Sequence, residues 1–335
     1  KILNSTITIK DVAKAAGVSV ATVSRVLNKS AVVSNIVAEQ VNDAIKALNY
    51  SPNFLGRNLR KCETNVILVI IPTIEPSYYS EIIRGMQDTA ANSGYDILLS
   101  TSHSNVDNEM RLLNMLFSRT VDAVVILSTL LDAASLNDLN EKFNIALCSE
   151  RVEGAKVLTV TVDDQNGAYC AVNNLIKKGH TKIGMISANG NGLSSIDREI
   201  GYVRALKDNG IETKNEYLYH NTYDYKSGSL AFDYFMSLKE PPTAIFAISD
   251  LLAIGAVKQA AASGYTVGKD ISIMGFDNIS LCEMYMPSIS TVAQPCYNMG
   301  KTVIESLIRN INGVEKCHDR ITMPYELILR QSTGD

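Results

Sequence analysis

The stretch VSVATVSRVLN, from Val18 to Asn28, places small apolar side chains, hydroxyls and a single arginine at helical spacing. Ser19 is suited to cap a helix whose Val23 and Val26 face inward, while Val20, Ala21, Thr22, Ser24 and Arg25 face outward near its N-terminal end. A face of that kind suits a DNA major groove, roughly 12 Å wide, because the helix must come close to base edges. Arg25 could reach guanine O6 and N7, Val20 and Ala21 suit thymine methyls, and the hydroxyls of Thr8, Ser19, Thr22 and Ser24 could meet phosphates. Ordinary capping is the competing role for these hydroxyls, and at Ser19 the two roles are compatible.

A second set of polar residues follows apolar runs. Tyr78 and Tyr79 come after the first run, Glu150 and Arg151 after IALCS, Ser249 and Asp250 after AIFAIS, and Asp277 after ISIMGF; Arg198 opens the helical stretch REIGYVRALKDNG. Ligands of open parallel sheets bind beyond the carboxyl ends of strands, where carboxylates and an arginine can fork across vicinal hydroxyls and an aromatic ring can cover a sugar face. No catalytic set assembles beside them. GNG at Gly190 to Gly192 lacks the third glycine of a dinucleotide site, GYTVGKD from Gly264 lacks Walker A spacing, and the adjacent Asp163 and Asp164 are expected to cap the following helix. The histidines and the six cysteines (Cys62, Cys148, Cys170, Cys282, Cys296, Cys317) are dispersed without ligand spacing. The expectation is therefore a non-enzyme with free thiols, no metal and no cofactor.

The elements that must position these groups divide the chain. Thr8 precedes a helix over Ile9, Val12, Ala13 and Ala16 that Gly17 ends, Ser19 starts a second, and a third runs from Ser34 to Leu48. Two short helices joined at a glycine and buttressed by a third make a helix-turn-helix domain over residues 1–50. Residues 51–63 read as a linker, with Pro52 breaking the third helix and Asn53 able to cap a short one. Beyond it, eight apolar runs (from Val66, Asp96, Ala123, Ile145, Val157, Lys182, Ala244 and Ile271) alternate with helical stretches, predicting two lobes of parallel α/β structure covered on both faces. The first 62 residues hold nine basic against three acidic side chains, a surplus of six, whereas the rest hold 22 against 32. That asymmetry fits a basic nucleic-acid module on an acidic body. No apolar stretch is long enough for a membrane span and no export signal is legible, which points to the cytoplasm.

TIKDVAKAAGVSVATVSRVLN, followed by Val33-Ser34 and NYSPN, resembles the DNA-binding segment of the lactose-repressor/galactose-repressor (LacI/GalR) family of bacterial transcription regulators. The likeness continues through RGMQD at Arg84, KKGHTKIGMIS at Lys177, PTAIFAISDLLAIGA at Pro242, ISIMGFDN at Ile271, STVAQP at Ser290 and LILRQST at Leu327, so it covers nearly the whole chain. It implies a homodimer on a palindromic double-stranded DNA operator and a two-lobed core like periplasmic sugar-binding proteins, with lobes at 64–162 plus 292–325 and 163–291 plus 326–335. It places Val20, Ala21 and Arg25 at recognition-helix positions and Leu59 as an apolar wedge between base pairs, with Asn28 and Asn53 as further candidates for DNA contact. Gly56 stands where the family usually has alanine, which predicts a hinge helix that forms less readily away from DNA and a weaker operator complex.

For the cleft, the resemblance implies stacking by Tyr79 and Tyr223, polar contacts from Arg198, Asp277 and Gln294, and ligand-facing places for Glu150 and Ser249, to which the strand ends add Tyr78 and Asp250. Pro76 and Ser249 depart from the asparagines that sugar binders often carry there. The effector expected is a small molecule, a sugar or sugar derivative. VAQPCYNMGK and LRQST also look like catabolite control protein A, whose corepressor is a phosphorylated phosphocarrier protein; Cys296 and Lys301 depart from that interface. No leucine heptads follow LRQSTGD, so a coiled-coil tetramer is not expected.

Overall fold

The computed structural model describes residues 7–28, 33–50, 63–74, 78–190, 192–314 and 319–335. It contains two compact units, Lys1–Glu63 and Thr64–Asp335. The proposed hinge residues Asn53, Gly56 and Leu59, together with Pro52, Pro76, Cys62, Cys317, the middle residue of the GNG stretch and the side chain of Asn28, lie outside the described residues.

The first unit holds α1 (Ile9–Ala15), α2 (Val20–Asn28) and α3 (Asn35–Ala47). At the start of α1 the Thr8 backbone N–H and hydroxyl both donate to the Asp11 carboxylate, at 2.8 and 2.7 Å. Those bonds hold the Asp11 carboxyl below the usual carboxylate range. Gly17 leaves α1 at φ +66°, and the Val18 N–H returns to the Ala13 carbonyl at 3.0 Å, the hydrogen bond of a glycine-terminated helix end. Val12, Ala13, Val23, Val41 and Ala44 form the small core, so each helix contributes its apolar stripe.

The second unit contains two six-stranded sheets. The first lobe builds its sheet in the order β11-β5-β4-β3-β1-β2 from β1 (Val66–Ile71), β2 (Asp96–Thr101), β3 (Ala123–Ile126), β4 (Asn144–Cys148), β5 (Leu158–Val162) and β11 (Arg320–Met323). Its helices are α4 (Tyr78–Asn92), α5 (Val106–Phe117), α6 (Ala133–Lys142) and α12 (Cys296–Ile311). The second lobe orders its sheet β12-β10-β9-β8-β6-β7, from β6 (Ile183–Ala188), β7 (Leu218–Asn221), β8 (Ala244–Ala247), β9 (Ser272–Asp277), β10 (Ser290–Ala293) and β12 (Glu326–Ile328). Around it lie α7 (Asp164–Lys177), α8 (Leu193–Asp208), α9 (Tyr225–Met236), α10 (Asp250–Ala262) and the short α11 (Leu281–Met284). All neighbouring strands are parallel except β10 and β12.

The chain passes between lobes after β5, after β10 and after β11. The passage expected at residue 292 lies beyond Ala293, because Val292 and Ala293 continue β10 in register with β9 and β12. Four strands escaped the apolar-run reading: β7, β10, β11 and β12 have only three or four residues each and three of them are polar or edge strands. The expectation that both sheet faces are covered also fails at edge strand β2, where Leu98 and Leu99 are exposed.

Glycine lets helix pairs touch backbone to backbone. A Cβ on Gly228 of α9 would meet the Leu252 carbonyl oxygen at 2.0 Å, and one on Gly255 of α10 would meet that of Tyr225 at 1.9 Å. The same arrangement joins α4 to α12 at Gly85 and Gly300.

Candidate functional site

On α2 the inward and outward faces fall as the spacing predicts. Val23 is fully buried and Val26 and Leu27 pack against the core, whereas Val20, Ala21 and Arg25 are exposed and Thr22 and Ser24 half-buried. The Ser19 hydroxyl accepts the Thr22 N–H at 3.1 Å and lies 2.9 Å from the Thr22 hydroxyl, so these two are partly spent on capping. What remains is a narrow face of small side chains ending in one guanidinium.

In the second unit the groups from strand ends meet where the lobes face one another. Arg198, 4% exposed, is the hub. Its Nε donates to Asp164 at 2.8 Å, while Nη1 donates to the Ile248 carbonyl at 2.5 Å, to the Tyr223 hydroxyl at 3.2 Å and to Asp277 at 3.4 Å. The guanidinium lies 3.8 Å from the centroid of the Phe276 ring. Asp277 also accepts from Gln294 at 2.8 Å, and Gln294 accepts from the Tyr78 hydroxyl at 3.0 Å, which lies 2.8 Å from that of Ser149. A chain of polar contacts thus runs from the first lobe through Gln294 to the second. Burial pushes the carboxyl of Asp277 well up and that of Asp164 up to about 6, with Arg198 opposing both.

Tyr79 is half-buried beside Tyr78, ring centroids 5.3 Å apart, and Tyr223 is 42% exposed. A cavity of about 370 Å³ adjoins this circuit and is lined by Tyr78, Glu81, Asp277, Glu283, Gln294 and Cys296 among others. Ser149 (φ +77°), Asp277 (φ +117°) and Asn278 (φ +60°) occupy the left-handed region at the ends of β4 and β9. Such backbone costs on the order of 1–3 kcal/mol per residue and concentrates where function needs it.

Several expected groups have other partners. Ser249 and Asp250, both expected to face the ligand, are buried with internal partners: the Ser249 hydroxyl accepts the Leu252 N–H at 3.4 Å, and Asp250 accepts from the Thr291 hydroxyl at 2.6 Å and the Ile279 N–H at 2.9 Å. Glu150 spans the lobes, accepting the Ser194 N–H at 3.1 Å and its hydroxyl at 3.0 Å in the first turn of α8. Arg151 reaches across to Asp197 at 2.7 Å. Arg198 itself lies in the second turn of α8, which begins at Leu193. Asp163 caps α7 by accepting the Asn166 N–H at 3.0 Å, but Asp164 is turned to Arg198 instead of capping. Ser149, Ser194 and Asp197 were missed; for Ser149 only its place at a strand end gave a signal.

The sequence profile described as "Bacterial regulatory proteins, lacI family" matches residues 8–53. A second, "Periplasmic binding protein-like domain", matches residues 172–333. The HTH-type transcriptional repressor CytR of Escherichia coli (strain K12) is 35% identical over 327 residues, covering 97% of this chain and 96% of that protein. This chain belongs to the LacI family. Catabolite control protein A of Priestia megaterium is 33% identical over 98% of this chain and 99% of that one. The transcriptional regulator CelR, solved as a cellobiose complex, superposes with a TM-score of 0.74 at 28% identity, over 97% of this chain and 99% of its own. LacI-family members are DNA-binding transcriptional regulators and not enzymes, with the helical head and two-lobed core found here. Among the described residues of this member no His, Cys, Asp and Glu cluster could hold a metal, and no helix is long and apolar enough to cross a membrane.

Proposed function

We propose that this protein is a repressor that binds a palindromic operator as a homodimer, with operator affinity set by a sugar or sugar derivative in the interlobe cleft. The carrying observation is the polar circuit through Arg198, whose members come from both lobes; a ligand inserted there changes contacts on each side at once. Differential binding to two lobe arrangements is what coupling to DNA requires. On the head, the Ala21 and Arg25 face supplies base contacts and Val20 a methyl contact, with Thr8, Ser19, Thr22, Ser24, Asn28 and Asn53 towards the backbone and Leu59 as the wedge.

Exposed Leu98 and Leu99 on β2, with Leu281, Met284 and Met286 in the second lobe, supply apolar surface for a second copy. CelR, named in complex with cellobiose, supports a carbohydrate effector. The likeness to catabolite control protein A keeps a phosphorylated phosphocarrier protein as the alternative. Cys296 and Lys301 depart from the interface it would meet, and the Lys301 ammonium lies 3.9 Å from Glu305, which does not favour it. Selection from random inverted repeats, followed by fluorescence anisotropy with a sugar panel, tests the proposal. It stands if a palindrome is enriched and a sugar shifts its affinity; no enrichment, or a shift only with the phosphorylated carrier, overturns it.

A further inference from the structure

We infer that the cleft selects an uncharged polyhydroxylated molecule and rejects the phosphate ester of the same molecule, with Asp164 and Asp277 as the residues that set this preference. The inference rests on the effector reading above and deepens it. Its basis is that Arg198, Arg151 and Arg330 each have a carboxylate partner, while Arg320 lines a neighbouring pocket in which the acids Asp163, Asp164 and Asp197 outnumber it and Arg151. Arg198 has Asp164 at 2.8 Å and Asp277 at 3.4 Å; Arg151 has Asp197 at 2.7 Å and Glu153 at 2.6 Å; Arg330 has Glu283 at 3.1 Å. The adjoining cavity is lined by three acidic side chains, those of Glu81, Asp277 and Glu283, and by no lysine or arginine.

A phosphate would bring roughly two negative charges to this surface at neutral pH. It would either face the carboxylates or take Arg198 from them, leaving two buried acids unpaired, and both routes are unfavourable. Burial favours a proton on Asp277, yet this does not free the arginine, since Asp164 alone balances the guanidinium. Hydroxyl groups meet no such penalty. The Asp277 carboxyl, the Gln294 amide and the Tyr78 hydroxyl now bond along one chain, and each can exchange a partner for a neutral hydroxyl without changing the charge of the site.

The test is calorimetry on the full chain with free pentoses, hexoses, disaccharides and nucleosides, each beside its monophosphate. The expected result is that a free compound binds and its ester binds at least roughly 100-fold more weakly, as like-charge juxtaposition imposes. An ester that binds as tightly as its parent overturns this inference and leaves the effector reading standing. If no member of any pair binds, the effector reading fails and takes this inference with it. Asp164→Asn, which removes the charge that balances Arg198, should narrow the gap by improving ester binding, with Asp164→Ser as the second variant if the first does not fold; an unchanged gap in a folded variant counts against the assignment. In the wild-type protein, affinity for the free compound should hardly change between low and high salt, and a steep fall would overturn the uncharged ligand.

Discussion

The outward face of α2 and the interlobe cleft both carry an arginine at their centre, but under opposite conditions. Arg25 is exposed, among small side chains, in a unit with a basic surplus, and is available to a partner. Arg198 is buried between two carboxylates, a backbone carbonyl, a tyrosine and an aromatic ring. On the proposed function the same side chain serves in one place as a probe, and in the other it is the post around which two lobes arrange their polar groups. Under that proposal, binding at the first adds contacts and binding at the second must replace contacts that exist already, a means for a small ligand to redistribute lobe arrangements.

Substitution can break that contrast. Arg198→Met leaves Asp164 and Asp277 buried without a cation, and the expected cost to folding is about 3–5 kcal/mol, measured by denaturant unfolding together with loss of effector response. An unchanged midpoint would show that Arg198 is not the post described. Arg25→Ala should leave thermal stability unchanged and weaken specific operator binding by about 1–3 kcal/mol, mainly at one base pair of each half-site. If the loss is equal on all sequences, Arg25 touches phosphate and not a base.

The pH dependence of folding sharpens the comparison next. The Asp164 carboxyl is raised to about 6 in the folded protein, by burial first, against about 3.9 when unfolded. Between these values the folded state holds the proton more strongly, so the contribution of Asp164 to stability is full below about 4 and is lost as pH rises to about 6. The difference in unfolding free energy between wild type and Asp164→Asn should therefore slope across this window and be flat above it. The smallest effect is expected from Asp197→Asn, which keeps an acceptor for Arg151 and costs about 1 kcal/mol. Small-angle scattering of the ligand-free variant should show a more open core; identical curves would mean that the pair with Arg151 does not help hold the lobes together.

Much of the head was legible because its interactions are short in sequence: Thr8 with Asp11, Ser19 with Thr22, and a glycine at the end of α1 each lie within one turn. The cleft was legible only in outline. That Arg198, Asp277, Gln294 and Tyr78 converge was anticipated from the family likeness and from strand ends. Asp164, by contrast, was assigned to capping because its neighbour Asp163 has the same chemistry, and nothing local tells which of two adjacent carboxylates turns towards an arginine 34 residues on.

By itself the sequence determined the helical head, the apolar strands and the face that Arg25 shares, since periodicity and capping act over a few residues. Only the tertiary structure decided that Ser249 and Asp250 are used internally, that Glu150 and Arg151 reach across the lobes, and that Arg198 has no charge to spare. Those outcomes depend on contacts between residues tens to hundreds of positions apart, where burial forces each polar group to find a partner and the packing of whole elements decides which partner is near.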